Sequence, residues 1–418
     1  MSTPNTDKPT TCPVPMQDGN PCGRQSYDGE RFCILHSKDP SKDRGLFRSA
    51  RASLGAGHSD FTAFVFPAER VSFNSAVFNT PACFHLARFL GSCDFAHAKF
   101  RAGANFSDAT FEGDALFASA EFGRPTSPQN AVFACATFLQ RANFDGAKFY
   151  GTLGCYGVQF ANGASFRQAE LISKASFEGT KSGEMFSGAA DTIFTDVVLG
   201  RPQEVVFKRV FLGQTRLLGT DVPQIDFTDV KWAKRGRLNA LWDELAPEDD
   251  GEEKNYALIG KLYRQLKHNY EEQRDPITAG DFHFGEMHMR RLSNPPKNWF
   301  LRFLKRNISL LALYRWISGY GEDYILPLVW IAGVVLLFTG IFALVGLQVP
   351  AVAPSNVSQP VHGFWPHLLY SIGSLLLRPW AQYEPPTLLG RYLTAAEGIM
   401  GPPLIAMFVL ALNRRFKR

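Results

Sequence analysis

The sequence predicts a multidomain protein in which a β-solenoid is followed by helices and then by a membrane-embedded segment. Three observations support this fold class: Phe recurs at steps of five and six residues in the first half, residues 325–347 carry no charge, and the composition changes near residue 295. Before that point Phe, Ala, Gly and Asp dominate, and after it Leu, Trp, Val and Pro. At 418 residues the chain is too long for one ordinary compact domain.

The Phe residues form a ladder with an eleven-residue unit. In CDFAHAKFRAGANFSDATFEGDALFASAEF, residues 93–122, Phe steps alternately by five and six residues, and Ala usually stands two residues before it. An eleven-residue period is also typical of a helical supercoil, but in a helix these steps would split the Phe side chains over two faces. In a strand, residues two apart share a face, so Ala and Phe enter one interior together. The ladder therefore predicts short strands separated by Gly, Asp and Ser corners.

This A-x-F pattern resembles the pentapeptide-repeat family in its eleven-residue variant. The resemblance implies a right-handed quadrilateral β-helix over residues 60–232, with coils of 22 residues between 73 and 182. We expect an irregular interruption over 183–206. A strict five-residue step then returns at Phe207, Leu212, Leu217, Val222, Phe227 and Trp232.

Charge argues against a nucleic-acid-mimicking role for the ladder. Some pentapeptide-repeat proteins mimic DNA through acidity, but residues 60–200 hold 13 acidic and 10 basic side chains, a net charge of −3. The whole chain has a formal charge of +5, and its basic residues cluster near the apolar C-terminal part. This distribution favours a role of the basic residues in orienting the protein in a membrane over a role in nucleic-acid binding.

Residues 1–45 form a Cys-rich head that is a candidate zinc site. Four thiol and imidazole ligands fall within 25 residues: Cys12, Cys22, Cys33 and His36. Such a set suits tetrahedral zinc, and four protein ligands leave no open position for catalysis. The alternative is a group of unrelated reduced thiols, because the gaps between the cysteines are longer than in a C-x-x-C pair. Packing explains the cysteines within the ladder, which are Cys83, Cys93, Cys135 and Cys155.

Residues 240–292 predict a helical hairpin. Leu258, Leu262, Leu266 and Tyr270 recur every four residues, and a second helix starts at Pro276. Small residues in that second helix would allow close packing: Ala279, Gly280 and Gly285. The segment resembles one found downstream of repeats in bacterial pentapeptide-repeat membrane proteins. Its histidines, His268, His283 and His288, are interpreted as surface or interface groups rather than metal ligands.

The C-terminal part predicts a transmembrane domain over residues 325–412. Residues 296–320 mix aromatic and basic side chains, as an interfacial helix would, although a soluble amphipathic helix has the same pattern. Ile325–Leu347 and Leu393–Leu412 are each long enough to cross a bilayer. Between them, FWPHLLYSIGSLLL is too short to span and too apolar for an exterior loop, so it predicts a re-entrant helix.

Basic residues predict the orientation. Residues 290–316 hold seven and the tail, 413–418, holds four, whereas 348–388 contain only Arg378. Both termini are therefore expected in the cytoplasm, in a multi-pass protein of the bacterial inner membrane. The N-terminus shows no signal-peptide pattern, which agrees with a cytoplasmic solenoid in a reducing compartment.

The last fifty residues resemble the pore domain of two-helix potassium channels. The matching features are LLYSIGSL as pore helix, a P-x-x-x-x-G-R bridge, EGIMG at the start of the inner helix, and a basic end. The resemblance implies a homotetramer with a filter after the pore helix. That place holds Ser374, Leu375, Leu376, Leu377 and Arg378, which cannot form the carbonyl ladder of a potassium filter. Potassium-type selectivity is therefore not expected, and Arg378 would favour anions or weak selectivity.

Two features of the predicted inner helix are candidate gating elements. Glu397 is costly in lipid, so it should face the pore, a subunit contact or the interface near the helix start. Gly401, Pro402 and Pro403 predict either a gating hinge or a passive bend.

The leading hypothesis is an ion-channel-like protein in which the solenoid senses an unknown ligand or protein and gates the pore. A membrane-opening stress or anti-phage defence effector is one physiological form of it. The alternative is a non-conducting, membrane-anchored scaffold whose solenoid binds a protein partner. An enzyme is not expected, because the sequence shows no nucleophile with a base, no phosphate loop and no open metal site.

Overall fold

The computed structural model describes residues 11–55, 57–180, 185–247, 254–293, 296, 298–349, 359–377 and 383–416. The chain divides into two compact units, Met1–Gln273 and Arg274–Arg418. This boundary falls between the two helices predicted for residues 240–292, so the first helix belongs to the solenoid unit and the second to the unit that holds the apolar helices.

Within its described residues, the first unit contains four parallel sheets built from strands of two to four residues. Sheet 1 contains Val65–Phe66, Arg88–Phe89, Thr110–Phe111, Thr137–Phe138 and Gln159–Phe160. Sheet 2 contains Val71–Ser72, Cys93–Asp94, Ala115–Leu116, Ala142–Asn143, Ala164–Ser165, Thr192–Ile193 and Thr215–Arg216. Sheet 3 contains Val77–Phe78, Lys99–Phe100, Glu121–Phe122, Lys148–Phe149, Glu170–Leu171 and Val198–Leu199. Sheet 4 contains Ala82–Cys83, Ala104–Asn105, Ala131–Val132, Leu153–Tyr156, Ala175–Glu178, Val205–Lys208 and Asp226–Thr228.

From Val65 to Glu178 the chain visits these sheets in the order 1, 2, 3, 4 and then repeats, so the predicted four-sided β-solenoid is confirmed there. The later strands of the described residues add to sheets 2, 3 and 4. Phe78 pairs with Phe100, and Phe100 pairs with Phe122, which gives the expected 22-residue coil. Parallel neighbours one coil apart satisfy each other's backbone groups, which is how two-residue strands can persist.

Alternating corner types explain the alternating steps of the ladder. In the five-residue step from Phe73 to Phe78, Ala76 N donates to Phe73 O at 3.0 Å, and Ser75 has φ of 57°. A positive φ at the third position is typical of a type II turn. The same corner recurs every eleven residues, at Leu86, His97, Asp108 and Ser119. The six-residue step from Phe78 to Phe84 instead turns through a bend at Asn79 and Thr80.

Phe rings fill the interior as columns. Phe117 stacks between Phe95 and Phe144, with centroids 4.9 Å away on each side and planes within 4° of parallel. This spacing matches the distance between hydrogen-bonded strands, about 4.8 Å. Each strand that a sheet gains therefore adds one ring to the column on that side. The Ala residues two positions before Phe are buried as predicted: Ala98, Ala104, Ala109, Ala115 and Ala120.

The solenoid departs from the prediction at two places. The expected interruption over 183–206 is wrong for its second half, because Thr192–Ile193 and Val198–Leu199 continue sheets 2 and 3. Phe194 keeps its column by stacking on Phe166 at 4.7 Å, so the coil absorbs extra residues without losing its core. A second enlarged coil pairs Phe122 with Phe149, 27 residues on.

Short elements cover both ends of the solenoid. Helix α1, Arg44–Ala52, buries Phe47 against Phe66, with ring centroids 5.8 Å apart. At the other end lie the antiparallel pair Ala233–Arg235 and Leu238–Ala240, α2 at Trp242–Leu245 and α3 at Tyr256–Glu272. The Nδ2 amide group of Asn269 in α3 has two N–H donors and lies within hydrogen-bonding distance of three carbonyl oxygens of the last coil: Val222, Pro223 and Ile225.

The buried face of α3 differs slightly from the predicted one. Leu262, Leu266 and Tyr270 are buried as expected, but Leu258 is exposed and Ile259 is buried in its place. The every-four pattern missed this because a helix repeats at 3.6 residues, so the buried stripe drifts by one position per two turns.

The second unit is helical. Its helices are α4 at Pro276–Leu292, α5 at Trp299–Ile308, α6 at Leu310–Ser318, α7 at Ile325–Val345, α8 at Phe364–Leu375 and α9 at Leu388–Phe416. A 3₁₀ turn occupies Gly319–Gly321, and the hairpin strands are Leu347–Val349 and Gln359–Val361. The predicted interfacial helix is thus two helices, because Ser309 has an extended backbone and caps α6, its Oγ accepting from Ala312 N at 3.2 Å.

Two of these helices are long and apolar enough to cross a membrane, Ile325–Val345 and Leu388–Asn413. Large apolar side chains on both are exposed, for example Leu337 and Leu344 on α7 and Ile399 on α9. The core helix of a soluble protein would bury such residues. The C-terminal end of α7 lies beside the start of α9, since Gln348 and Glu384 exchange backbone hydrogen bonds of 2.9 and 2.8 Å.

Candidate functional site

The predicted ligands of the Cys-rich head lie on two adjacent turns. Cys12 and Cys22 belong to an irregular hairpin in which Cys12 N donates to Arg24 O at 2.7 Å and Gly23 N donates to Cys12 O at 3.0 Å. Cys33 and His36 belong to a tight turn closed by His36 N donating to Cys33 O at 3.0 Å. Because a C-x-x-H turn places its first and fourth side chains on the same side, these two ligands converge.

The structure brings the four ligand atoms together. All lie within 4.8 Å of one another, and all but Cys22 are buried. His36 Nδ1 is 3.3 Å from Cys12 Sγ and 3.2 Å from Cys33 Sγ, and the Sγ atoms of Cys22 and Cys33 are 3.8 Å apart. This cluster could hold a metal ion.

The thiols of the cluster have unequal acidity. The hydrogen bond with Cys33 lowers the pKa of Cys22 to about 4, although partial burial opposes this. The same bond raises the pKa of Cys33, and burial adds to that rise. The hydrogen bond between the two thiols thus favours one thiolate in the pair, and thiolates are the form that binds soft and borderline metals.

A buried lysine next to the cluster was not foreseen from the sequence. Lys42 Nζ donates to the carbonyl oxygens of Ile34, Ser37 and Val65, at 3.0, 2.9 and 2.5 Å. Its side chain is buried, and burial lowers the pKa of Lys42 to about 8. The only sequence signal was a lysine close to the Cys-rich segment, and lysines are usually solvated.

In the second unit, the short helix α8 packs between α7 and α9 and places hydroxyl groups against both. Ser371 Oγ lies 3.1 Å from Val335 O, in the middle of α7, and within hydrogen-bonding distance of Glu397 Oε1 on α9. Ser374 Oγ donates to Thr394 O at 3.1 Å. Sequence analysis singled out Glu397 but missed Ser371, whose only signal was a hydroxyl residue in an apolar helix.

Glu397 is fully buried, and its Oε2 atom has no hydrogen-bond partner among the described residues. A serine hydroxyl carries one proton, so Ser371 cannot donate to Val335 O and to Glu397 together. Both contacts are satisfied when Glu397 carries the proton and donates to Ser371 Oγ. The Ser371 hydroxyl group thus lies between a backbone carbonyl group of α7 and the Glu397 carboxyl group of α9.

The described part of the predicted filter follows the end of α8. Leu375 is buried, whereas Leu376 and Leu377 are exposed, and Leu377 has φ of 53°, which ends the helix. Arg378, the remaining filter residue of the prediction, lies outside the described residues. Beside this helix end is an open cavity of about 720 Å³, whose polar lining includes Tyr370, Ser374 and Thr394.

The predicted gating residues all lie on α9. The helix continues through Pro402 and Pro403, whose side chains are exposed on the surface of the protein. Gly401 is buried and faces Leu375 of α8, so close that a β-carbon at position 401 would overlap the Leu375 carbonyl group. The glycine thus has a packing role, and whether this region also acts as a gate stays a prediction.

The four-sheet architecture and its Ala–Phe interior define the first unit as a parallel β-solenoid of stacked short repeats. In agreement, a family model described as pentapeptide repeats (9 copies) matches residues 73–121. No curated protein and no solved structure matches the chain.

Proposed function

We propose that this protein is an ion-channel-like membrane protein in which a cytoplasmic pentapeptide-repeat domain senses a signal and gates a two-helix pore. The observation that carries the proposal is the position of α8. This helix has 12 residues, too few to cross a bilayer, and Ser371 anchors it to the midpoint of α7 and to Glu397 of α9.

The polar contacts of α8 support a pore rather than a simple anchor. Two membrane crossings need no third helix between them, and polar groups at membrane depth are costly. Three side-chain hydrogen bonds join α8 to α9: Ser371 to Glu397, Ser374 to the Thr394 carbonyl group, and Tyr370 to the Thr394 hydroxyl group. The open cavity is also lined by Tyr370, Ser374 and Thr394. Such a half-helix with polar contacts is typical of re-entrant segments that are buried in protein or face water.

The pore would be completed by symmetry. One chain supplies two spans and one half-helix, so the proposed assembly is a homotetramer around an axis beside α8 and α9. The exposed Leu376 and Leu377 at the end of α8 differ from the glycine-containing run whose backbone carbonyl groups line a potassium filter. This difference favours non-potassium-type or weak selectivity.

The proposed orientation puts both termini in the cytoplasm of a bacterial inner-membrane protein. Helices α5 and α6 expose Trp299, Phe303 and Trp316 and carry Arg302 and Arg315, a combination suited to the cytoplasmic headgroup region of anionic lipid. Movement of these helices is the proposed route from the sensor to the pore. The proposal assigns no catalytic reaction.

Topology is the first test. In a C135S background, single substitutions Phe364→Cys and Glu384→Cys mark the two flanks of the re-entrant segment, and Asn413→Cys marks the cytoplasmic end of α9. Glu384 is exposed and lies beside Gln348 at the end of α7. A membrane-impermeant thiol reagent added to sealed right-side-out vesicles should label positions 364 and 384 and not position 413. Labelling of only one of the two flanks would show a third crossing, and labelling of position 413 would reverse the orientation.

Conduction is the second test. Full-length protein in proteoliposomes, checked for its oligomeric state, is assayed for dissipation of K⁺, Na⁺ and Cl⁻ gradients, with empty vesicles and heat-unfolded protein as controls. Flux from tetramers supports the channel. A monomer or dimer without flux, combined with the re-entrant labelling pattern, would favour the scaffold alternative, in which the solenoid binds a protein partner.

A further inference from the structure

The Cys-rich head is the part of the chain that the proposed channel function leaves unexplained. We infer that Cys12, Cys22, Cys33 and His36 bind one zinc ion, and that this ion fixes the head as the N-terminal cap of the solenoid. The inference does not depend on whether the protein conducts ions.

The cluster has the dimensions of a tetrahedral zinc site. Zinc–sulfur bonds of about 2.3 Å place two thiolates of a tetrahedron about 3.8 Å apart, and a sulfur and a nitrogen somewhat closer. The observed separations are 3.8 Å between the sulfurs of Cys22 and Cys33 and 3.2 Å between Cys33 and His36 Nδ1. Three thiols and one imidazole favour zinc over the oxygen-preferring divalent ions.

The imidazole is already oriented for metal binding by a group of the solenoid. His36 Nε2 lies 3.0 Å from Thr62 O, and a carbonyl oxygen can only accept, so Nε2 carries the proton. This tautomer leaves the Nδ1 lone pair free to face the three sulfurs. A backbone carbonyl on the second nitrogen is typical of metal-bound histidines. The His36 ring also meets Phe64 edge-on, with centroids 5.1 Å apart.

The metal-bearing turn occupies the position that a preceding coil would have. Val65 N donates to Leu35 O at 2.8 Å, just as Arg88 N donates to Phe64 O at 2.8 Å in the next coil. Leu35, which lies between two of the ligands, thus supplies the first hydrogen bond of sheet 1. Without it, the first coil would present an unpaired strand edge, which solenoids must cover.

Zinc is what could hold so small a cap. The ligand-bearing segment spans only 25 residues, Cys12 to His36, and its described part is mostly turns, so it buries little apolar surface of its own. Segments of this size usually need a metal or disulfides to fold. With four protein ligands the site is closed, so its role is structural.

Metal content tests the first half of the inference. The full chain is purified in detergent under reducing conditions, and its metals are measured by mass spectrometry. We expect one zinc per chain in the wild type, a large loss in C22S, and no change in C135S, because Cys135 is an exposed cysteine of the solenoid outside the cluster. Wild-type zinc far below one per chain, or equal zinc in both variants, would overturn the site.

Hydrogen exchange tests the second half, and it needs no variant. Removing zinc from the wild type with a chelator should accelerate amide exchange at residues 61–66, in the first coil, and leave residues 110–122 unchanged. Re-adding zinc should restore protection, and Co²⁺ should restore it with the absorption bands of a tetrahedral thiolate site. Equal exchange at 61–66 with and without metal would show that the ion does not fix the cap.

Discussion

The carbonyl group of Leu375 lies against the α-carbon of Gly401, in the space that a β-carbon at position 401 would fill. This contact joins the last turn of α8 to the middle of α9. Only glycine permits such an approach, because any side chain would separate the two helices or unwind the end of α8. Gly401, which was predicted as part of a hinge, is therefore the residue on which the end of α8 packs.

Replacing this glycine should loosen the α8–α9 contact. We expect G401A to destabilise the second unit by about 1–3 kcal/mol, the usual cost of overpacking. G340A is the matched control, since Gly340 lies in α7 and a β-carbon there would meet no described atom within 4 Å. Thermal unfolding in detergent measures both. Equal melting temperatures for the two variants would contradict the contact.

The bond between Ser371 and Glu397 predicts different outcomes for two substitutions. In E397Q the amide donates to Ser371 Oγ as a protonated carboxyl group would, so stability should change by less than about 1 kcal/mol. In S371A the buried carboxyl group loses its partner, which should cost about 1–3 kcal/mol. The same unfolding assay compares them. If E397Q were as damaging as S371A, the carboxyl group would have to be charged.

The sequence predicts well those elements whose structure is determined by regular spacing of residue types along the chain. The Phe columns and both apolar helices follow from periodicity and length, and the four candidate ligands of the head follow from residue type. Lys42 and Ser371 could not be predicted, because their roles come from carbonyl groups that only the folded chain brings near. The continued coil at Thr192 was missed for a related reason, since β-solenoids accept insertions at corners without changing the interior.

The corner at His97 offers a test of the eleven-residue period. Its φ of 57° is unfavourable for β-branched residues and easily adopted by glycine. We expect H97V to lower the free energy of unfolding by about 1–2 kcal/mol and H97G to leave it unchanged or slightly higher. The exposed position Leu139, substituted by Val, serves as the control for β-branching at a surface site. Equal stabilities of H97V and H97G would mean that the corner is not left-handed.

Asn269 provides a test of the C-terminal cap. Its Nδ2 atom lies 3.2, 2.8 and 2.7 Å from the carbonyl oxygens of Val222, Pro223 and Ile225. N269A removes this donor, although Val222 O still accepts from Ile225 N, and we expect a loss of about 1–3 kcal/mol. N269D has almost the same shape, but its carboxylate would face the carbonyl oxygens, so it should be worse than alanine at neutral pH. An aspartate variant as stable as the wild type would show that this cap does not depend on donation.

Lys42 predicts a pH dependence of the solenoid unit at alkaline pH. Burial lowers the pKa of Lys42 to about 8 in the folded chain, from 10.5 in the unfolded one. Below pH 8 both states are charged and folding bears the full cost of the buried cation. Between pH 8 and 10.5 the unfolded state holds more protons, so this term makes the folded state more stable as pH rises.

The K42M variant lacks this titration. The quantity to plot against pH is the free energy of unfolding of the wild type minus that of K42M. This difference should rise by roughly 3 kcal/mol between pH 8 and 10.5, because one pKa unit corresponds to about 1.4 kcal/mol. K42M also leaves three carbonyl groups without the Lys42 donor. Its stability at any one pH therefore combines the loss of a buried charge with the loss of hydrogen bonds. Only the pH dependence of the difference measures the titration of Lys42. Circular dichroism of the β-signal, with zinc held constant, measures both chains. A flat or falling difference would mean that Lys42 keeps its ordinary pKa in the folded chain.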